Sequence, residues 1–226
     1  MTAFRDSPWS AVLVMLLGVM ATLAIPKWVD DFALIQITIY VVIGLAFGVF
    51  INLYSYLAFI LVEPPFNAGS SFIGLLFVTY LAGTFASASS GWIAHRIGQL
   101  NTIVFGILVF MLGVLFLFSA DIRVTILGLT INAFGFFLAH SVSSSWVNGH
   151  AKKAKASASA GYLVFYYLGA SVGPIMLYPF WHTGGWSRTL IGAELYLSLS
   201  LGLLVWLMLR LRKAKAAADY RIFPTA

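Results

Sequence analysis

The apolar positions of this chain fall into long runs separated by short polar breaks. Each run is close to or longer than the about 20 residues that a helix needs to cross a hydrocarbon core of about 30 Å. Seven such runs are predicted as spans: about Trp9 to Ile25, Phe32 to Val62, Phe72 to Ala94, Thr102 to Ala120, Val124 to Val147, Ser157 to Trp181 and Trp186 to Leu209. The breaks carry turn chemistry. Pro26 and Lys27 close the first run, and Glu63-Pro64-Pro65 closes the second, because proline lacks an amide hydrogen and disfavours a helical residue before it. The second run is longer than a bilayer requires, which predicts a tilted or bent helix. Thr22-Leu23-Ala24 resembles a signal-peptidase site, but Asp6 offsets Arg5 ahead of it, so a retained helix is expected.

Composition agrees with the pattern. Hydrophobic residues make up 61% of the chain and charged residues 9%, against about 45–50% and 25% in soluble proteins. The predicted fold class is therefore an all-α integral membrane protein of about seven transmembrane helices. The net charge of +6 is carried by loops and the C-terminal tail, which topology explains without nucleic acid. Lys27, Arg96, Lys152, Lys153, Lys155, Arg210, Arg212, Lys213, Lys215 and Arg221 fall on one side of the seven spans, and Arg5, Arg123 and Arg188 on the other. The positive-inside rule then puts the N-terminus outside and the C-terminus in the cytoplasm. The chain has no cysteine, which excludes disulfides, thiolate chemistry and cysteine metal sites. No metal site or cofactor is expected.

Between the third and fourth runs stands Gly91-Trp92-Ile93-Ala94-His95-Arg96-Ile97-Gly98-Gln99-Leu100. Gly91, Ala94, Arg96 and Gly98 resemble the cytoplasmic loop signature of the major facilitator superfamily, with His95 in place of its acidic residue and Gln99 and Leu100 in place of its basic ones. Further stretches, Gly135 to Trp146, the Ala151-Lys152-Lys153-Ala154-Lys155 hinge, Tyr166-Tyr167-Leu168-Gly169 and Phe180-Trp181-His182 with Gly185-Trp186, resemble the last helices of YnfM-type bacterial inner-membrane transporters of the drug-efflux or arabinose-efflux class. The resemblance covers roughly residues 32 to 210.

Several expectations follow from that resemblance. Its members have twelve helices in two halves, with substrate at the interface and rocking motions that open it to either side. Residues 32–210 then correspond to the C-terminal six-helix half. Residues 1–31 hold one helix similar to the last of the N-terminal half, and 211–226 form a basic cytoplasmic tail. The implied function is proton-coupled efflux of a small molecule across the bacterial inner membrane, by a chain shortened by about five helices. The implied partners are a small-molecule substrate, protons, the lipid bilayer and either the missing N-terminal half or a second copy. The alternative is an inactive half-transporter that needs such a partner.

Polar side chains inside the spans are the candidate site residues, since each must find a partner or water. Asn132, Phe136 and His140 lie four apart on one helix face, as do Asn52 and Tyr56, and Tyr166 with Tyr167 adds hydroxyls. Together Asn52, Tyr56, Asn132, His140, Tyr166 and Tyr167 are the expected lining of an apolar, aromatic substrate pathway with a few polar anchors, against the plainer reading of interhelical hydrogen bonds. An ordinary pKa near 6.5 suits His140 to carrying protons. Glu194, a carboxyl inside an apolar run, is the second proton-coupling candidate, against pairing with Arg188 or a loop. Small residues at Gly83, Ser87 and Gly91 and at Gly169 and Gly173 predict close helix contacts that either pack or slide, and Gly173-Pro174 predicts a bend.

Other functions fit less well. A retinal Schiff base needs a lysine within a helix, and every lysine lies in a loop, link or tail. No motif singles out a serine nucleophile for an intramembrane protease. HExxH and carboxylate clusters are absent as well, so an enzyme is not expected.

Overall fold

The structure, a computed structural model, describes residues 31–222 apart from 65 and 152–154, with side chains described between 33 and 213. The first predicted span, Lys27, Lys152 and Lys153 lie outside the described residues. Among those described the chain is helical throughout: α1 Asp31–Val62, α2 Ser70–Ile97 with a tighter 3-10 turn at Leu76–Thr79, α3 Gln99–Phe116, α4 Ile122–His150, and a final helical stretch Lys155–Ile222. Five helices are long and apolar enough to cross a membrane. The last of these, at 59 residues, is more than twice what one crossing needs.

That length is two helices folded back on each other. The backbone leaves helical angles at Gly184 and Gly185, and Gly185 has φ +61, a conformation that favours glycine. Beyond the turn the Tyr196 hydroxyl donates to the Met176 carbonyl at 3.2 Å, and the Phe180 and Tyr196 rings meet edge to face at 6.2 Å. Residues twenty apart in a straight helix would stand about 30 Å apart. We therefore describe α5 as 155–183 and α6 as 186–222, which gives six crossings in the described residues. Trp186, just past the turn, donates from its indole Nε1 to the Leu117 carbonyl at 3.0 Å and ties the hairpin to the end of α3.

The predicted boundaries shift where apolarity and turn chemistry disagree. The fourth run was expected to reach Ala120, yet α3 ends at Phe116. The Ser119 hydroxyl accepts from the Asp121 amide at 3.1 Å, and the Asp121 carboxylate accepts from the Arg123 amide at 2.8 Å as the N-cap of α4. Capping chemistry thus overrides the apolar run Leu115 to Phe118. Gly98 joins α2 to α3 with φ +86, which explains why this place in the loop signature holds glycine.

Two seams hold the bundle, both built on glycine. Between α3 and α4 a Cβ on Gly106 would meet Ala139, one on Gly135 would meet Phe110, one on Gly113 would meet Asn132, and one on Gly128 would meet Phe116 and Leu117. The pairs step in opposite directions along the two helices, so the helices are antiparallel and the backbone of one helix fills most of the space where the other lacks a side chain. Between α1 and α5 the partners step together. Tyr40 donates to the Ala158 carbonyl, Asn52 to that of Ala170 and Tyr56 to that of Pro174, each 118 residues on. A constant offset means two parallel helices in register. Gly44 and Gly48 of α1 lie against Phe165, Gly169 and Gly173 of α5, and a Cβ on Gly48 would stand 2.6 Å from the Gly169 carbonyl oxygen. In a bilayer, where helices gain nothing by leaving water, such close backbone packing is the main cohesive force.

Polar groups inside these helices are mostly satisfied locally, as a bilayer demands. Thr38, Thr102, Thr189 and Ser200 each donate to the carbonyl four residues before. Outward-facing side chains are apolar: Phe105, Leu108, Leu112 and Leu115 of α3 are exposed, as lipid-facing positions are.

Candidate functional site

A continuous aromatic cluster joins α1, α2, α4 and α5. Phe47 stacks on Tyr166 with ring centres 3.6 Å apart and on Phe136 at 5.6 Å. Phe50 stacks on Phe136 at 4.2 Å, while Tyr80 of α2 meets Phe50 at 5.3 Å and Phe137 at 5.8 Å. Phe50 and Phe136 are sealed in, whereas Phe47, Tyr80, Phe137 and Tyr166 are half-buried. The cluster therefore has a packed floor and an open rim.

His140 stands on that rim, half-buried. Its ring lies 4.8 Å from the Tyr166 ring and 5.9 Å from that of Phe136. The Tyr162 hydroxyl is 2.8 Å from His140 Nδ1 and donates to the His140 carbonyl at 3.2 Å. A hydroxyl has one proton. Both contacts are hydrogen bonds when Tyr162 gives its proton to the carbonyl and accepts from Nδ1–H. In that tautomer Nε2 carries a lone pair, and a proton can arrive there without breaking either bond. Nearby, Ser141 of α4 donates to Ser87 of α2 at 2.9 Å, adding hydroxyls beside the aromatic rim.

The remaining sequence candidates separate. Tyr167 touches Phe47 edge-on at 6.5 Å and Tyr166 at 5.3 Å, and it is exposed beside the rim. Asn52 and Tyr56 lie in the α1–α5 seam, where Asn52 donates to Gly48 at 2.8 Å and to Ala170 at 3.4 Å. Tyr56 packs on Trp181 at 4.9 Å. Asn132 is fully buried against Gly113 of α3, two turns along α4 from His140, and neither atom of its amide has a hydrogen-bond partner among the described residues. Glu194 is on α6. The Tyr196–Met176 and Phe180–Gly192 contacts set it level with about Tyr178, a dozen residues beyond Tyr166 and so about 18 Å along the helix. Its Oε1 is buried without a hydrogen-bond partner among the described residues, while Arg188 lays its aliphatic chain against Gly184. Glu194 and His140 thus belong to separate regions.

Of the predicted packing row on α2, Gly83 lies under Phe137 and Ser87 meets Ser141, while Gly91 has open space where a side chain would be. Sequence reading passed over Phe47, Tyr80, Phe137 and Tyr162 as site residues. Tyr162 was readable in principle, since it stands four before Tyr166 on the same helix face. The loop signature sits at the basic end. Arg96 lies over the Trp92 ring at 4.1 Å, and Gly91, Ala94 and His95 border a cleft with Ser90, Gln99 and Ser145. Among the described residues no group of three or more metal-ligating side chains gathers.

No family model matches the chain, and no solved structure does. Relatives do. An uncharacterized transporter of Buchnera aphidicola (subspecies Schizaphis graminum) is 36% identical over 74% of this chain and 39% of its own length. The inner membrane transport protein YnfM of Escherichia coli is 36% identical over 71% and 38%. The uncharacterized MFS-type transporter YybF of Bacillus subtilis is 38% identical over 57% and 32%. The chain spans about two fifths of the length of the relatives it matches, and the match falls in their C-terminal half. The helical bundle, the loop signature and these relatives together show that the chain belongs to the major facilitator superfamily.

Proposed function

We propose that this chain supplies one half of a secondary carrier pathway that exports a small molecule in exchange for protons. The observation that carries the reading is His140, its Nδ1 engaged by Tyr162 at the half-open rim of an aromatic cluster, which leaves Nε2 as the nitrogen to take a proton. Phe47, Phe137, Tyr80 and Tyr166 offer ring faces for an apolar or aromatic substrate, and Ser87 and Ser141 offer hydroxyls to orient it. The site is a face rather than an enclosed cavity, so the opposite wall comes from a second bundle, either in the same polypeptide or in a second copy. The membrane is the bacterial inner membrane. The end bearing Arg96, Lys155, Arg210, Arg212 and Lys213 is cytoplasmic, which puts the N-terminus outside and the C-terminus inside.

Everted membrane vesicles carrying the full chain test this directly. With a respiratory proton gradient established, adding a planar aromatic probe such as ethidium or Nile red is expected to release protons, read as recovery of a quenched pH dye. No recovery with any probe, from vesicles in which a full-length relative gives recovery, would refute transport by this chain alone. Recovery that appears only when a second bundle is co-expressed would assign the opposite wall to that partner.

A further inference from the structure

Pro174 lies inside α5. Having no N–H, it leaves the carbonyl of Ala170, four residues before, without its helical donor. In a bilayer no water is at hand to replace it, and a bare carbonyl there is destabilising. The donor comes from another helix. Asn52 of α1, only 6% exposed, has two amide hydrogens and two carbonyls within reach, that of Gly48 on its own helix at 2.8 Å and that of Ala170 at 3.4 Å.

The approach depends on Gly173. A Cβ there would collide with Asn52 Nδ2, so the absent side chain is the space through which the amide reaches. One turn further on, Tyr56 donates to the carbonyl of Pro174 itself at 3.4 Å. One turn back, the seam carries Phe47 stacked on Tyr166. We propose that Asn52 is a positioning residue that splices the gap in the hydrogen-bond ladder of α5 by supplying the bond Pro174 cannot make, and so holds the Tyr162–Tyr167 stretch against α1 and α4. This assignment rests on the α1–α5 geometry and does not depend on what the site carries.

It predicts a specific epistasis. Restoring the missing N–H with Pro174→Ala gives Ala170 its own helical donor and makes Asn52 dispensable. In the full chain in detergent, Asn52→Leu is expected to lower the midpoint of thermal unfolding by about 3 °C, the scale set by one hydrogen bond in a chain of this size. Beside Pro174→Ala the same substitution is expected to cost less than half of that shift. Equal shifts in the two backgrounds would overturn the proposal. If Asn52→Leu alone yields no folded protein, the double variant decides: recovery of folded protein supports the splice, and failure of both refutes it.

Discussion

Gly169→Leu is expected to abolish the folded bundle. The position faces α1 so closely that even a methyl group would overlap the carbonyl carbon and oxygen of Gly44. What blocks it is backbone inside a helix, which cannot rotate aside as a side chain tip does. Overpacking a well-filled interior costs about 1–3 kcal/mol when neighbours can shift, and here relief requires parting α1 from α5 along a seam held at Tyr40, Asn52 and Tyr56. The expected readout is loss of a monodisperse species in mild detergent and loss of its cooperative thermal transition. Gly91→Ala and Gly202→Ala, at positions with open space around the Cβ, are expected to leave both intact. A normal Gly169→Leu transition would show that the seam is wrong.

His140→Gln is expected to remove proton exchange while leaving the bundle folded. Glutamine keeps a polar group of similar reach toward Tyr162 but cannot bind and release a proton near neutral pH. If His140 passes the proton, substrate-driven proton release falls about a hundredfold or more, the ordinary effect of losing a positioned acid–base group. Probe binding, measured by fluorescence, is expected to change little because the ring faces of Phe47 and Tyr166 remain. Tyr162→Phe keeps the ring and removes only the hydroxyl that fixes the tautomer, so its loss of exchange is expected to be smaller. Unchanged proton release in His140→Gln would remove the histidine from the mechanism.

The crossings were legible because the bilayer fixes both the length and the apolarity of a spanning helix. Glu63-Pro64 ends α1 where proline chemistry places the stop, and the six runs from Phe32 to Leu209 correspond to α1 through α6. The end of α3 was less legible, since Leu117 and Phe118 are as apolar as the helix before them and only the Asp121 cap reveals the turn. Within the site, His140, Tyr166 and Tyr167 were readable as polar or hydroxylated groups in apolar helices. Phe47 and Phe137 carry no such mark, because an aromatic at a rim and one facing lipid look alike in sequence. For Asn52 and Asn132, polarity signalled a partner but not its identity. Asn52 meets a carbonyl 118 residues away through the gap at Gly173, a pairing that depends on helix register and not on local spacing.

The face joining α1, α2, α4 and α5 is expected to border an aqueous pathway, with the exposed side of α3 turned to lipid. Because the chain contains no cysteine, single cysteines report each position without background. In membranes of cells expressing the full chain, Ser141→Cys and Ser144→Cys on the His140 side of α4 are expected to react readily with a membrane-impermeant maleimide, and Leu112→Cys on the exposed side of α3 is expected to stay unmodified. Labelling of Leu112→Cys at a rate equal to or above that of the two serine positions would contradict the account.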